Sequence, residues 1–195
     1  MHDIILNREP SASEIQAVER SKDLSLKLSA IENDRNFVYL PKEQTWLNAK
    51  VQRPVDRSEV PKDFFFSMVN QPDKFEAFRF YGHKSKNSTL AWVQFGAALC
   101  GGREVVHGGC LATVFDELFG NTVIWALDRA GFTATLTVHY RRRFLTDQAG
   151  IFITHVEKNT GRKVFMKARL EGLDGLVYAE ATSLFVLIDP PSSKL

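Results

Sequence analysis

The chain has 195 residues, 44% of them hydrophobic, and a formal net charge of +2 at pH 7. This length and composition suit a globular protein with a sizeable core, and the near-neutral charge gives no support for general nucleic-acid binding. With only two cysteines and no zinc-like His/Cys spacing, we expect neither a disulfide framework nor a metal site. We also expect no membrane span, because no apolar run reaches the length of about 18 residues needed to cross a bilayer. We therefore expect an intracellular soluble protein, with the cytoplasm favoured over the mitochondrion.

The N-terminal region has a different character from the rest of the chain. Ser11 or Ser13 is suited to cap a helix whose apolar positions run from Ile15 to Ile31. A proline-interrupted segment follows and ends in Phe64-Phe65-Phe66, which is too apolar to remain in water and must dock. We therefore predict an extension over residues 1–70, made of a helix and a docking arm, ahead of a domain over residues 71–195. We interpret this arm as a packing or dimer contact, and the alternative is a lid over a binding groove.

Strand patterns dominate the remainder of the chain. The predicted strands are Phe75–Tyr81, Thr89–Leu99, Thr133–Tyr140, Ile151–Val156, Val164–Leu170 and Leu176–Ile188. Residues 157–163 are interpreted as a hairpin loop between two of them. Together with one helix after the second strand, this order predicts an antiparallel sheet curled around a central helix.

The run Cys110–Leu127 is long enough for that helix and is apolar almost all round, which predicts burial in the core. Its only charges are Asp116 and Glu117, and a carboxylate in such a segment is costly unless it is paired or used. Small residues share one helical face with Asp116 and leave room for a ligand, whereas Glu117 points elsewhere and fits a structural or interface role. The turn His107-Gly108-Gly109 directly before the helix can offer backbone N–H groups to an oxygen that gains negative charge.

This element order, with His107-Gly108-Gly109 and Asp116, resembles the hotdog-fold thioesterases of the PaaI/4HBT superfamily. Among them the chain is most similar to THEM-type acyl-CoA thioesterases and their fungal relatives. Further matching segments are Thr133–Arg142, Gly161–Lys163, Tyr178–Val186 and, for the fungal members, Asp63–Ser67. The resemblance covers roughly residues 75–190 and implies an α+β hotdog fold, in which an antiparallel sheet wraps a long central helix.

The resemblance also implies roles for individual residues. Asp116 would be the catalytic carboxylate, acting as general base on a water or as nucleophile, and Thr133 would place its hydroxyl near the attacking water. The Gly108 N–H would polarise the thioester carbonyl, and His107 would position the thioester or shape the turn. In the family the acid and the hydroxyl come from one subunit and the turn from another, so we expect a homodimer or a dimer of dimers. The nine-residue offset from His107 to Asp116 supports this, because it places the acid over about 12 Å along its own helix.

Substrate contacts are expected at Gly109 and at a group of basic residues, because arginine binds the phosphates of coenzyme A well. These residues are Arg141, Arg143, Arg162 and Lys163, with the last two in a hairpin expected nearby. Strand alternation places Arg141 and Arg143 on one face and Arg142 on the other. One departure from the family concerns Gly101, because related enzymes often carry a polar side chain such as Asn at that position.

The leading functional hypothesis is hydrolysis of an acyl-CoA thioester without metal or organic cofactor, coenzyme A being part of the substrate. One alternative is another enzyme on the same fold, such as an acyl-thioester dehydratase or hydratase, whose usual local motifs are absent from the sequence. A second alternative is action on a carrier-bound or polyketide acyl thioester, or a non-catalytic acyl-CoA-binding module. Because Gly101 lacks the polar side chain expected at that position, a weakened or non-hydrolytic site is also an alternative.

Overall fold

The computed structural model describes residues 26–40, 64–65, 68–69 and 71–188. Backbone contacts divide the chain into two compact units, residues 1–34 and 35–195. In the first unit, residues 26–33 are helical and overlap the end of the predicted N-terminal helix. Its candidate caps Ser11 and Ser13, the segment 41–63 and Phe66 lie outside the described residues. The predicted division of the chain at residue 70 therefore remains a prediction.

The second unit is built on a seven-stranded antiparallel sheet and one long helix. The sheet has the order β1-β2-β3-β7-β8-β9-β6, and β4 and β5 form a separate hairpin. The helix α1 spans Gly108–Leu127. The strands are β1 Phe37–Tyr39, β2 Phe75–His83, β3 Ser88–Phe95, β4 Cys100–Gly102, β5 Val105–Val106, β6 Gly131–Tyr140, β7 Gln148–Thr160, β8 Lys163–Gly172 and β9 Val177–Leu187.

The predicted fold is confirmed, and the differences concern local boundaries. The strand expected to reach Leu99 ends at Phe95, and a short 3₁₀ helix occupies Ala97–Leu99. The loop expected over residues 157–163 is mostly strand, because β7 continues to Thr160 and β8 begins at Lys163. The turn between them contains Gly161, whose φ of 59° suits glycine.

Helix α1 buries one face against the sheet. Phe115 is fully buried and meets the ring of Phe152 edge-on at 5.0 Å, and Leu111, Val114, Leu118 and Phe119 share that buried face. On the opposite side, Gly109 is exposed and Asp116 is only half-buried, as expected for the face of small residues around the acid. Aromatic residues of the sheet and the helix thus hold α1 so that its small-residue face stays open.

By length and composition alone, α1 meets the criterion for a membrane-crossing helix. The expectation that no segment reaches that length is therefore corrected. Half of the apolar window is buried inside the fold. A buried core helix passes the same test as a membrane span, so the helix alone is weak support for membrane insertion.

One residue of the predicted docking arm is anchored in the core. Phe65 is 3% exposed and contacts the rings of Phe75 and Phe78 at 5.3 and 5.1 Å. Its neighbour Phe64 is 68% exposed. Val69, which is 4% exposed, forms a bridge with Phe75, so the described residues just before β2 are attached to the sheet through both Phe65 and Val69.

Candidate active site

The first turn of α1 is closed by the His107 side chain. His107 is the N-cap residue, and its Nδ1 accepts a hydrogen bond from the Gly109 N–H at 2.9 Å. Because Nδ1 is the acceptor, the neutral ring carries its proton on Nε2, where it can serve as a donor. The backbone of His107 is fixed as well: its N–H donates to the Leu99 carbonyl and its carbonyl accepts from Cys110 N–H, both at 2.8 Å.

Gly108 supplies the open donor of this turn. Its carbonyl accepts a hydrogen bond from the Tyr140 hydroxyl at 2.7 Å. Within the part of the chain that the structure describes, the Gly108 N–H has no hydrogen-bond acceptor. This N–H lies at the positive end of a 20-residue helix. Such a donor is suited to bind an oxygen that becomes negative during a reaction.

The glycines around His107 are required by close packing. A Cβ at Gly109 would lie 2.9 Å from His107 Nδ1, and a Cβ at Gly101 would lie 2.9 Å from His107 Cα. A side chain at position 101 would therefore require the His107 backbone to shift. Glycine at position 101 therefore fits the close approach of His107, and another residue must supply any polar contact with the thioester in this region.

The candidate acid is Asp116, on the open side of α1 beside β6. Thr133 Oγ1 donates a hydrogen bond of 2.7 Å to Asp116 Oδ1. This leaves Asp116 Oδ2 and the lone pairs of the threonine oxygen available to a water or ligand. The structure therefore brings together two of the residues that the sequence singled out, 17 positions apart in the chain.

A β-bulge aims Thr133 at the acid. The register of β6 on β9 shifts between Thr133 and Thr135, which pair with the successive residues Phe185 and Leu184. Leu136 and Val138 pack on the core and Tyr140 reaches Gly108, so the even-numbered residues of β6 face α1. Strict alternation would turn Thr133 to the opposite face. The extra residue at the bulge restores it to the face of α1.

Strand β6 runs along α1 and touches both ends of the candidate site. Thr133 lies at the acid, and Tyr140 lies at the donor turn. Asp116 follows Gly108 by eight residues, which is about 12 Å along the helix axis at the usual rise per residue. The donor and the acid of one chain are therefore too far apart to act on a single carbonyl group.

The basic residues do not form one cluster within the chain. Strand β6 ends at Tyr140, and the N–H groups of Arg141 and Arg142 both donate to the Tyr178 carbonyl. The prediction that alternation continues through Arg143 is therefore wrong. Arg141 forms an exposed ion pair with Glu180 at 2.7 Å, and Arg143 is exposed.

Arg162 and Lys163 lie at the other end of β9. Arg162 Nε donates to the Leu187 carbonyl at 3.0 Å, and Lys163 pairs in register with Val186 and is exposed. Leu187 is nine residues from Tyr178, or about 30 Å along an extended strand. The expectation that this hairpin lies near Arg141 is wrong within one chain.

Two other polar side chains of α1, those of Glu117 and Cys110, lie in environments that suit a structural role. The carboxylate of Glu117 accepts from Asn121 Nδ2 at 2.9 Å, one helical turn further along. Burial raises the pKa of the Cys110 thiol, which keeps it protonated and unreactive at neutral pH. Among the described residues, no three His, Cys, Asp or Glu side chains are grouped as a metal site would require.

Tyr140 is the residue of the candidate site that the sequence analysis missed. No spacing rule marks this tyrosine, and only the position of β6 along α1 reveals its contact with Gly108.

Sequence comparison finds relatives among curated thioesterases. No family model matches the chain. It is 32% identical over 117 residues to an acyl-coenzyme A thioesterase THEM4 of Mus musculus, and 34% identical over 117 residues to that of Xenopus laevis. The matches cover 60% of this chain, and 50% and 52% of those proteins. The chain thus spans about half the length of the curated relatives it matches.

Solved structures share the fold at low sequence identity. A hypothetical thioesterase from Streptococcus pneumoniae TIGR4, crystallised with coenzyme A, has a TM-score of 0.58 at 19% identity, covering 68% of this chain and 99% of its own. The E. coli PaaI protein has a TM-score of 0.59 at 12% identity, covering 76% and 96%. At these identities the likeness concerns the fold alone. The chain therefore shares the hotdog fold of these solved structures, and over 60% of its length it is similar in sequence to curated acyl-coenzyme A thioesterases.

Proposed function

We propose that this protein hydrolyses acyl-CoA thioesters to the free acid and coenzyme A. The observation that carries the proposal is the Thr133–Asp116 hydrogen bond of 2.7 Å on the open face of α1. The sequence relatives named acyl-coenzyme A thioesterase support the reaction, and the pneumococcal structure supports the substrate class because it contains coenzyme A. No metal or organic cofactor is needed for this chemistry.

The pair is arranged to hold and activate a water molecule. Thr133 gives its only hydroxyl proton to Asp116 Oδ1, so the threonine oxygen can accept one hydrogen of the water. Asp116 Oδ2 can accept the other hydrogen, which leaves a water lone pair free to attack the thioester carbon. As the new C–O bond forms, the proton moves to Asp116. It is then available to the coenzyme A thiolate when the C–S bond breaks.

The same carboxylate can instead attack the carbonyl directly, which forms a mixed anhydride that water then cleaves. A single turnover in ¹⁸O-labelled water tests for the nucleophile route. Label in Asp116 shows that an anhydride formed and that water attacked its aspartyl carbonyl carbon. Label in the released acid alone is the result of the base route and also of water attack on the acyl carbon of the anhydride, so a trapped acyl-enzyme is the further readout that distinguishes these two.

A second copy of the chain would complete the site. The Gly108 N–H lies about 12 Å along the helix from Asp116, so the carbonyl attacked beside one acid needs the donor turn of another subunit. Strand β6 is the last strand of the sheet, and Phe132 on it is 73% exposed. An exposed apolar edge strand is a suitable surface for pairing with another chain. We therefore propose a homodimer, alone or paired as a dimer of dimers, with two shared sites.

The basic residues are proposed to bind the phosphates of coenzyme A. Arg141, Arg143, Arg162 and Lys163 are all exposed, and the Nε groups of Arg141 and Arg162 donate to Glu180 and to the Leu187 carbonyl. Their separation within one chain means that a single coenzyme would meet both groups only if two subunits contribute. Gly109 lies beside the reacting carbonyl in this arrangement, where its lack of a side chain leaves space.

A thiol-release assay over short, medium, long and aromatic acyl-CoAs tests the proposal. Asp116→Asn should lower kcat by about 10²–10⁴, the usual contribution of a general base, with the fold retained. Glu117→Gln is the matched control, since it makes the same chemical change one residue away and should keep the activity. Wild-type turnover by Asp116→Asn would refute the mechanism. Binding of acyl-CoA without thiol release would establish a binding module, and release from acyl-carrier protein alone would identify a carrier-bound substrate.

A further inference from the structure

The hydroxyl of Tyr140 contacts the turn before α1 and has no part in the Asp116–Thr133 chemistry proposed above. Tyr140 Oη donates to the Gly108 carbonyl at 2.7 Å, across 32 residues of chain. Its ring lies directly against the turn, because a Cβ on Gly108 would be 3.2 Å from Tyr140 Cζ. The ring is 52% exposed, so filling the core does not account for its position.

The turn needs such a contact because it contains two adjacent glycines. Glycine restricts the backbone less than any other residue, so Gly108 and Gly109 do not fix their own peptide planes. The plane between them is held from both sides: Tyr140 binds the Gly108 carbonyl, and His107 Nδ1 binds the Gly109 N–H. The preceding plane is held by the His107 carbonyl, which accepts from Cys110. Only the Gly108 N–H is left over among the described groups of the turn.

We infer that Tyr140 is a positioning residue, whose hydroxyl fixes the Gly108 backbone at its carbonyl, so that the N–H on the other side of the Gly108 Cα stays aimed at the thioester oxygen. This inference rests on the proposed function, since it assigns Tyr140 a part in that reaction. A fixed donor stabilises the developing oxyanion without reorganising during the reaction, whereas a mobile turn does not. Burial raises the pKa of the Tyr140 hydroxyl, which keeps it a proton donor at neutral pH.

The first test compares Tyr140→Phe with a matched variant. Tyr39→Phe is the control, because Tyr39 is 53% exposed and lies on β1, at the opposite edge of the sheet. Losing one neutral hydrogen bond should lower kcat of Tyr140→Phe about five- to tenfold, with KM changed less than twofold. Tyr39→Phe should match wild type. Unchanged kcat in Tyr140→Phe, or a change confined to KM, would overturn the inference.

A double-mutant cycle tests whether Tyr140 acts through the Gly108 N–H. Gly108→Pro deletes that N–H, so adding Tyr140→Phe should then change kcat less than twofold. The same five- to tenfold loss in both backgrounds would show that Tyr140 acts by another route and would overturn the inference.

Amide exchange gives a readout that does not depend on turnover. In Tyr140→Phe, amides of residues 107–111 should exchange several-fold faster, while those of residues 118–124 keep the wild-type rate. Unchanged exchange in the first turn would overturn the inference even if kcat falls. If wild type releases thiol from no acyl-CoA, the proposed function fails, and the exchange result alone decides whether Tyr140 holds the turn.

Discussion

Replacing Gly108 with proline should remove the oxyanion donor and little else. Proline lacks the N–H and is favoured at the first position of a helix, where that group has no helical partner. The residue before a proline must be extended, and His107 already has φ −58° and ψ 129°. A Cβ at this position would lie 3.2 Å from Tyr140 Cζ and 3.3 Å from its hydroxyl oxygen, which a half-exposed tyrosine can relieve by a small movement.

The expected magnitudes separate activity from stability. Loss of one oxyanion donor typically lowers kcat by about 10²–10³, equivalent to about 2.7–4 kcal/mol in the barrier. Proline should stabilise the fold by about 0.4–1 kcal/mol through the unfolded chain, and the Tyr140 contact offsets a similar amount. Since about 1 kcal/mol moves Tm by about 2–4 °C in a chain of this size, Tm should stay within about 4 °C of wild type.

The assay is steady-state thiol release from the best acyl-CoA of the panel, with thermal unfolding measured in parallel. Gly108→Ala is the matched control, because it adds a Cβ at the same 3.2 Å from Tyr140 Cζ but keeps the N–H. Alanine should cost less than about tenfold, since no oxyanion donor is lost. Wild-type kcat in folded Gly108→Pro would refute the donor assignment. Equal losses in the two variants would attribute the effect to the Cβ instead.

Two further predictions concern the hydroxyl beside the acid and a histidine on the sheet. Thr133→Val should lower kcat about tenfold, because it removes the hydroxyl, and Thr133→Ser should keep most of the wild-type kcat. Deletion of Ala134 should lower kcat as valine does, because it removes the bulge that turns Thr133 toward Asp116. The same kcat in all three variants would exclude a role for the hydroxyl. Burial, with Arg169 and Lys167 nearby, lowers the pKa of His155, so the unfolded chain binds this proton more readily than the folded protein. Its contribution to stability is then complete above about pH 6.5 and declines as pH falls below that value. His155→Asn should flatten the fall in Tm between pH 7 and 5, and a steeper fall would contradict this reasoning.

The sheet and helix could be predicted because their patterns are local. Alternation along β9 and the apolar run of α1 each reflect how one element meets the core, and both elements were found within a few residues of their predicted bounds. The short pieces β1, β4 and β5 were not predicted. They contain two or three residues each, too few to show any period, and they depend on pairing with a neighbouring strand.

By itself, the sequence determined the chemistry available to the site. It placed a glycine turn before the helix and one acid on its small-residue face, because both features follow from residue type and helical spacing. It did not determine which way Thr133 points. Strict alternation along β6 turns that hydroxyl away from α1, and only the bulge against β9 brings it to Asp116. The contact of Tyr140 with Gly108 was likewise decided by tertiary structure, because it depends on how β6 lies along α1. No residue pattern within β6 or α1 predicts how the two elements are aligned.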